Sequence, residues 1–210
     1  METKIQLSED EWNLVMNASV LLTKNRAMQK ISGFLAEIAD TSTTIFSAES
    51  VPLPIAAEWK QPKISRGENY QGLPYLVLDY PRFFFRDDVF AIRTMFWWGN
   101  YFSVTLHLKG TFFRHFTKSI IHHYEALETA GFLVNNSDAE WNHAIGDEYA
   151  LLSKYGKEKF AQKCNNDNLL KIAVRIPLQD LTKTGDLILD CYRQLLSSLK
   201  INSQVDGKGL

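Results

Sequence analysis

The chain is short of most features that announce a function. Its two cysteines, Cys164 and Cys191, stand in no metal-ligand or redox spacing, which excludes a disulfide framework and fits reduced thiols. No apolar run approaches the ~20 residues of a membrane span. The opening METKIQLSEDEWN lacks a basic stretch followed by an apolar one, so no secretory signal is expected and a cytoplasmic location is. A formal charge of -1 excludes an overall field that would draw the protein to nucleic acid or to an anionic membrane. Phosphate loops, dinucleotide fingerprints and HExxH pairs are absent, no motif carries a family resemblance, and no cofactor is implied.

What is present is an ordinary globular composition, 45% apolar and 22% charged over 210 residues, enough for one real core. A single domain over 1–202 with a loose tail at 203–210 is expected. Ser8 and Glu11 form a capping box, after which Trp12, Val15, Met16, Ser19 and Leu22 fall on one stripe of a helix over about 9–23. A second helix begins near Arg26, with Ile31, Phe34, Leu35 and Ile38 inward. Residues 50–74 hold four of the six prolines and read as loop. From 75 to 109 the period is two. Phe113, Phe116, Ile120, Tyr124 and Leu127 then return to helical spacing, with Gly131 as the stop. SDAE at 137–140 reads as a capping box opening a helical region to about 163. LLKIAVRIPL alternates again, and a last helix over about 181–200 carries Ile188, Tyr192, Leu195 and Leu199. Strands near 75–80, 83–86, 89–98, 101–109 and 169–177 are too closely spaced at 75–109 for helical crossovers. The reading is an α+β domain with a mainly antiparallel sheet, helices on one face and an N-terminal helical pair.

The central MFWWGNYFSVTLHL decides the faces of that sheet. A two-residue turn at Gly99-Asn100 sets Trp98 opposite Tyr101. One face then carries Leu76, Leu78, Tyr80, Ala91, Met95, Trp97, Phe102, Val104, Leu106 and Leu108, interrupted only by Arg93. The other carries Tyr75, Asp79, Thr94, Phe96, Trp98, Tyr101, Ser103, Thr105 and His107. Rings mixed with hydrogen-bonding groups resemble the lining of a ligand pocket, although a second core layer under the 50–74 loop accounts for the same residues. Lys171 and Arg175 join this mixed face if their strand adds in the same sense.

Asp79, Ser103 and His107 are the residue types of a catalytic triad. Ser103 and His107 lie four residues apart on one strand, about 13 Å at ~3.3 Å per residue, so no nucleophile–base contact forms. His115, His122 and Glu125 on the following helix lack a second ligand pair, and no metal site is expected. Arg93, a charge on an apolar face, requires either a carboxylate partner or a bound anion. Arg82, Arg86, Lys109 and Arg114 surround the aromatic sheet, but no RNP-like run accompanies them and nucleic acid is not the expected partner. The expectation is a non-enzymatic module that takes a small anionic or aromatic ligand on the mixed face, with Arg93 as a further contact. The alternatives are an interaction protein using that face as a homodimer interface and, third, an enzyme of unspecified reaction.

Overall fold

The computed structural model describes residues 4–49, 51–53, 60–179 and 181–200; the expected tail at 203–210 and part of the 50–74 loop lie outside them. Helix α1 spans Glu9–Met16 and α2 Ala18–Ala48. The Ser8 hydroxyl accepts from the Glu11 N–H, and the Glu11 carboxylate accepts from the Ser8 N–H at 2.7 Å, closing the expected box. The helix breaks at Asn17 rather than near 24, and α2 runs through Gly33 without interruption. Trp12, Val15, Met16 and Leu22, read as one helical stripe, are 56%, 66%, 67% and 57% exposed.

Strands β1 (Lys63–Tyr70), β2 (Leu73–Phe85), β3 (Asp88–Trp97) and β4 (Tyr101–Lys109) follow. Strand β1 corrects the loop reading of 50–74. It is an edge strand, half exposed along its length, so its side chains carry no apolar alternation to read. Helices α3 (Gly110–His122) and α4 (Tyr124–Thr129) come next, then β5 (Leu133–Asn135) and β6 (Tyr149–Leu151). Between β5 and β6, residues 136–148 form an irregular segment where SDAE had predicted a helix. Helices α5 (Leu152–Tyr155) and α6 (Lys157–Asn166), strand β7 (Leu169–Pro177) and helix α7 (Thr184–Ser198) complete the order. All strand pairs are antiparallel, in the order β1-β2-β3-β4-β7-β5-β6. The α+β class is as expected.

Helices α2, α3 and α7 cover one face. Leu78, Ile92, Val104, Leu106 and Ile172 from the sheet meet Leu35, Phe116, Tyr192 and Leu195 from the helices, all nearly free of solvent. The faces themselves need one correction. The turn after β3 runs Trp97-Trp98-Gly99-Asn100, closed by the Asn100 N–H on the Trp97 carbonyl at 3.0 Å. Gly99, at φ 72°, occupies the third turn position, where a type II turn needs a positive φ. The loop therefore has three residues, and Trp97 pairs with Tyr101. A one-residue slip turns every β3 side chain to the opposite face. Thr94, Phe96 and Trp98 go to the helix side, while Arg93, Met95 and Trp97 go to the mixed side. The β2 and β4 assignments stand.

Gly110 joins β4 to α3 at φ 63°, and a Cβ there falls 2.3 Å from both the Asp87 carbonyl oxygen and Asp88 Oδ1. Asp88 Oδ1 accepts from the Thr111 N–H at 2.6 Å in the first turn of α3. That hydrogen bond is the main reason the Asp88 carboxyl titrates below its ordinary range. Gly110→Ala is expected to cost about 1–3 kcal/mol through backbone strain alone, with further loss if the Asp88 cap is displaced. Thermal unfolding reads this as a melting temperature lower by several degrees, and an unchanged midpoint would contradict the close approach.

Candidate functional site

Opposite the helices, the sheet presents residues that have no business in an apolar core unless they are paired. Asp79 and Arg93 stand directly opposite on β2 and β3. Arg93 Nε donates to Asp79 Oδ1 at 2.7 Å and Nη2 to Oδ2 at 2.9 Å, a bidentate pair. The third nitrogen, Nη1, lies 2.5 Å from His143 Nε2. A guanidinium only donates, so this Nε2 accepts and the ring proton sits on Nδ1.

One strand further, His107 on β4 is opposite Lys171 on β7. Lys171 is 2% exposed and donates to the Glu140 carbonyl at 3.1 Å and to the Asn142 carbonyl. Glu140 Oε2 accepts from Lys109 Nζ at 2.7 Å. Its Oε1 stands 3.4 Å from His107 Nε2, too far out of line for a hydrogen bond, and both atoms are buried without another partner among the described residues. Burial first, and the neighbouring cations second, pull both histidines down to about 3. At neutral pH the His107 ring facing Glu140 is therefore neutral. Burial likewise lowers Lys171 to about 8, with Arg93 acting in the same direction.

The 136–148 segment owes its irregular course to this face. The Tyr70 hydroxyl accepts from the His143 and Ala144 N–H groups at 2.8 and 2.7 Å and donates to Asn142 Oδ1 at 2.9 Å. The Tyr101 hydroxyl accepts from the Ile145 N–H at 2.7 Å. With Lys171 on two of its carbonyls, the segment has its backbone groups satisfied by side chains rising from the sheet rather than by a helix. Ser137, read as a helix cap, instead accepts locally from the Ala139 N–H at 3.0 Å. Trp141 lies edge-on to His107, ring centroids 5.5 Å apart, and is 55% exposed.

Between the segment and the first three strands is a cavity of about 170 Å³. Tyr70, Tyr75, Val77 and Met95 give it apolar walls, and Ser65, Asp79, Arg93 and His143 supply polar groups. Of the residues expected on the mixed face, Tyr75, Asp79, Tyr101, Ser103, Thr105 and His107 are there, joined by Arg93. Thr94, Phe96 and Trp98 are not. The Thr94 hydroxyl lies 3.2 Å from that of Tyr192, Phe96 packs on Phe102, and Trp98 rests on the helix-side core. Arg93 does have a carboxylate partner, on a strand rather than on a helix. Lys171 and Arg175 join as the strand sense required. Tyr70, Glu140 and His143 were not singled out from the sequence. Tyr70 lay in a presumed loop, and the other two lay in a presumed helix.

Asp79, Ser103 and His107 share a face without forming a catalytic unit, because both Asp79 oxygens are held by Arg93. Among the described residues no group of three or more His, Cys, Asp and Glu side chains is placed to hold a metal. No helix among them is long and apolar enough to cross a membrane. No family model matches the chain, and comparison with curated proteins and with solved structures finds no significant match.

The two buried histidines set a pH dependence with a definite sign. Unfolded, each binds a proton near pH 6.5; folded, each does so only near 3. The unfolded chain therefore holds more protons across that window, and stability falls as pH drops from about 6.5 toward about 3. Urea midpoints measured down this range are expected to fall less steeply for His107→Gln/His143→Gln than for the wild type. Parallel slopes would contradict neutral burial of the pair.

Proposed function

We propose that the protein is a non-enzymatic binding module whose ligand is a small organic anion, taken in the cavity between β1–β3 and the 136–148 segment. The observation that carries this reading is the state of Arg93. Of its five N–H donors, three are engaged by Asp79 and His143, which leaves two, one on each terminal nitrogen, without a partner among the described residues. They belong to a side chain that lines the cavity together with Tyr75 and Tyr70. A fixed guanidinium with free donors, flanked by aromatic walls, suits a carboxylate carried on a small flat or apolar body. The cavity is smaller than the ~300 Å³ at which drug-sized pockets begin, so the ligand has few heavy atoms.

The homodimer reading of the same face finds less support. Ser103, Thr105 and His107 are 2%, 7% and 4% exposed, covered by the chain's own fold.

Calorimetric titration of the full chain with formate, acetate, benzoate and inorganic phosphate tests the reading. A carboxylate is expected to bind, with affinity reduced at least tenfold by Arg93→Lys, which loses the planar fork, and by Tyr75→Ala. The absence of heat with every probe, or binding that survives both substitutions, would overturn it.

A further inference from the structure

Strand β1 carries a glycine that its backbone does not need. Gly67 lies inside the strand with φ outside the left-handed region, where glycine costs order and contributes no packing. Its use is the space above it. A Cβ at Gly67 would stand less than 3.0 Å from Cε1, Cζ and the hydroxyl oxygen of Tyr75, the residue paired with Gly67 on β2. The far end of the Tyr75 ring therefore lies over the Gly67 backbone, and any side chain at this position evicts it.

The neighbours of Tyr75 decide where an evicted ring goes. Trp97 stands opposite it on β3. Tyr70, paired with Leu73 and edge-on to Tyr75 at 5.8 Å between ring centroids, fills the turn end of the face. What remains is the space over Val77, two residues along β2 on the same face and part of the wall of the Arg93 cavity. Gly67 keeps that cavity open by giving Tyr75 somewhere else to lie.

The cavity so framed has a direction. Tyr75 and Asp79, the partner of Arg93, are four residues apart on β2, about 13 Å at ~3.3 Å per residue. Between them Val77 is flanked by Met95 on β3 and Ser65 on β1. A guanidinium stands at one end, apolar side chains line the middle, and the Tyr75 ring closes the other end, with His143 of the covering segment on the same cavity. A volume of about 170 Å³ suits a carboxylate attached directly to one flat ring. Contacts of that ring with Tyr75 and Tyr70, and with the Met95 sulfur, add to the area it buries. A puckered ring of the same size gains less.

We propose that Gly67 is the specificity-determining residue of the cavity and that the ligand it admits is a monocyclic aromatic carboxylate. This rests on the anion-binding reading above and narrows it. Calorimetric titration of the full chain with benzoate and with cyclohexanecarboxylate tests it, since the two share the carboxylate and the ring size and differ in flatness. Benzoate is expected to bind about five- to tenfold more tightly. Gly67→Ala is expected to weaken benzoate binding as far as Tyr75→Ala does. The same substitution in a Tyr75→Ala background is expected to add no further loss, because the ring it displaces is gone. Tyr75→Leu, expected to abolish the preference for benzoate, keeps the test open if Gly67→Ala does not fold. Failure of both carboxylates to bind overturns the anion-binding reading and this proposal with it. Binding of both without preference, or a benzoate affinity indifferent to Gly67→Ala, overturns this proposal alone.

Discussion

A guanidinium and a carboxylate sit side by side on adjacent central strands, the Arg93 side chain 16% and the Asp79 side chain 9% exposed, and the rest of the polar face is organised around keeping them satisfied. Removing one partner of such a pair typically costs about 3–5 kcal/mol, because the survivor is left charged and dry. The bidentate contact fulfils Asp79 but leaves Arg93 with donors to spare. One of these fixes His143 and with it the middle of the 136–148 segment. The same economy operates at Lys171, whose ammonium is met by two carbonyl oxygens of that segment rather than by a carboxylate. Charge on the sheet thus determines the path of a chain that has no secondary structure of its own. The path in turn closes over the histidines and holds them neutral.

The two faces of the sheet do different work. The helix side is a dry core in which aromatic and branched side chains interdigitate, and Tyr192, fully buried, meets the Thr94 hydroxyl. The opposite side keeps its polar groups in one connected set, in which a low local dielectric strengthens each contact and penalises any that is lost. The cavity lies at the edge of this set, where Tyr75 and Met95 replace charge with apolar wall. A binding site placed there draws on rigid strands for its position and on a side-chain-tethered segment for its cover.

Much of this was legible in the amino-acid order, and the failures have one cause each. The box at Ser8 follows from its capping motif, and the helix through Phe113, Phe116 and Ile120, the terminal helix and strands β3, β4 and β7 follow from periodicity. The separate strands expected at 75–80 and 83–86, by contrast, are one strand, β2, with an irregularity between Asp79 and Arg82. The faces of β2 and β4 follow as well. The face of β3 does not, because Gly99 fits both a two-residue and a three-residue loop, and only the register distinguishes them. Arg93 was the signal: a lone charge among apolar positions marks a strand read one residue out of step. Strand β1 was hidden because an exposed edge strand need not alternate. The 136–148 segment was hidden because its conformation is imposed by Tyr70, Arg93, Tyr101 and Lys171, distant in sequence. The exposure of α1 also escaped periodicity, since an apolar stripe does not say which surface it meets.

The claim on which the rest depends is that the Asp79–Arg93 pair holds the 136–148 segment in place. Amide hydrogen exchange in Arg93→Met tests it most directly. The account predicts that protection at His143, Ala144 and Ile145, whose N–H groups bond to Tyr70 and Tyr101, falls sharply while the helix-side residues of β4 keep theirs. Protection in the segment that matches the wild type would contradict it.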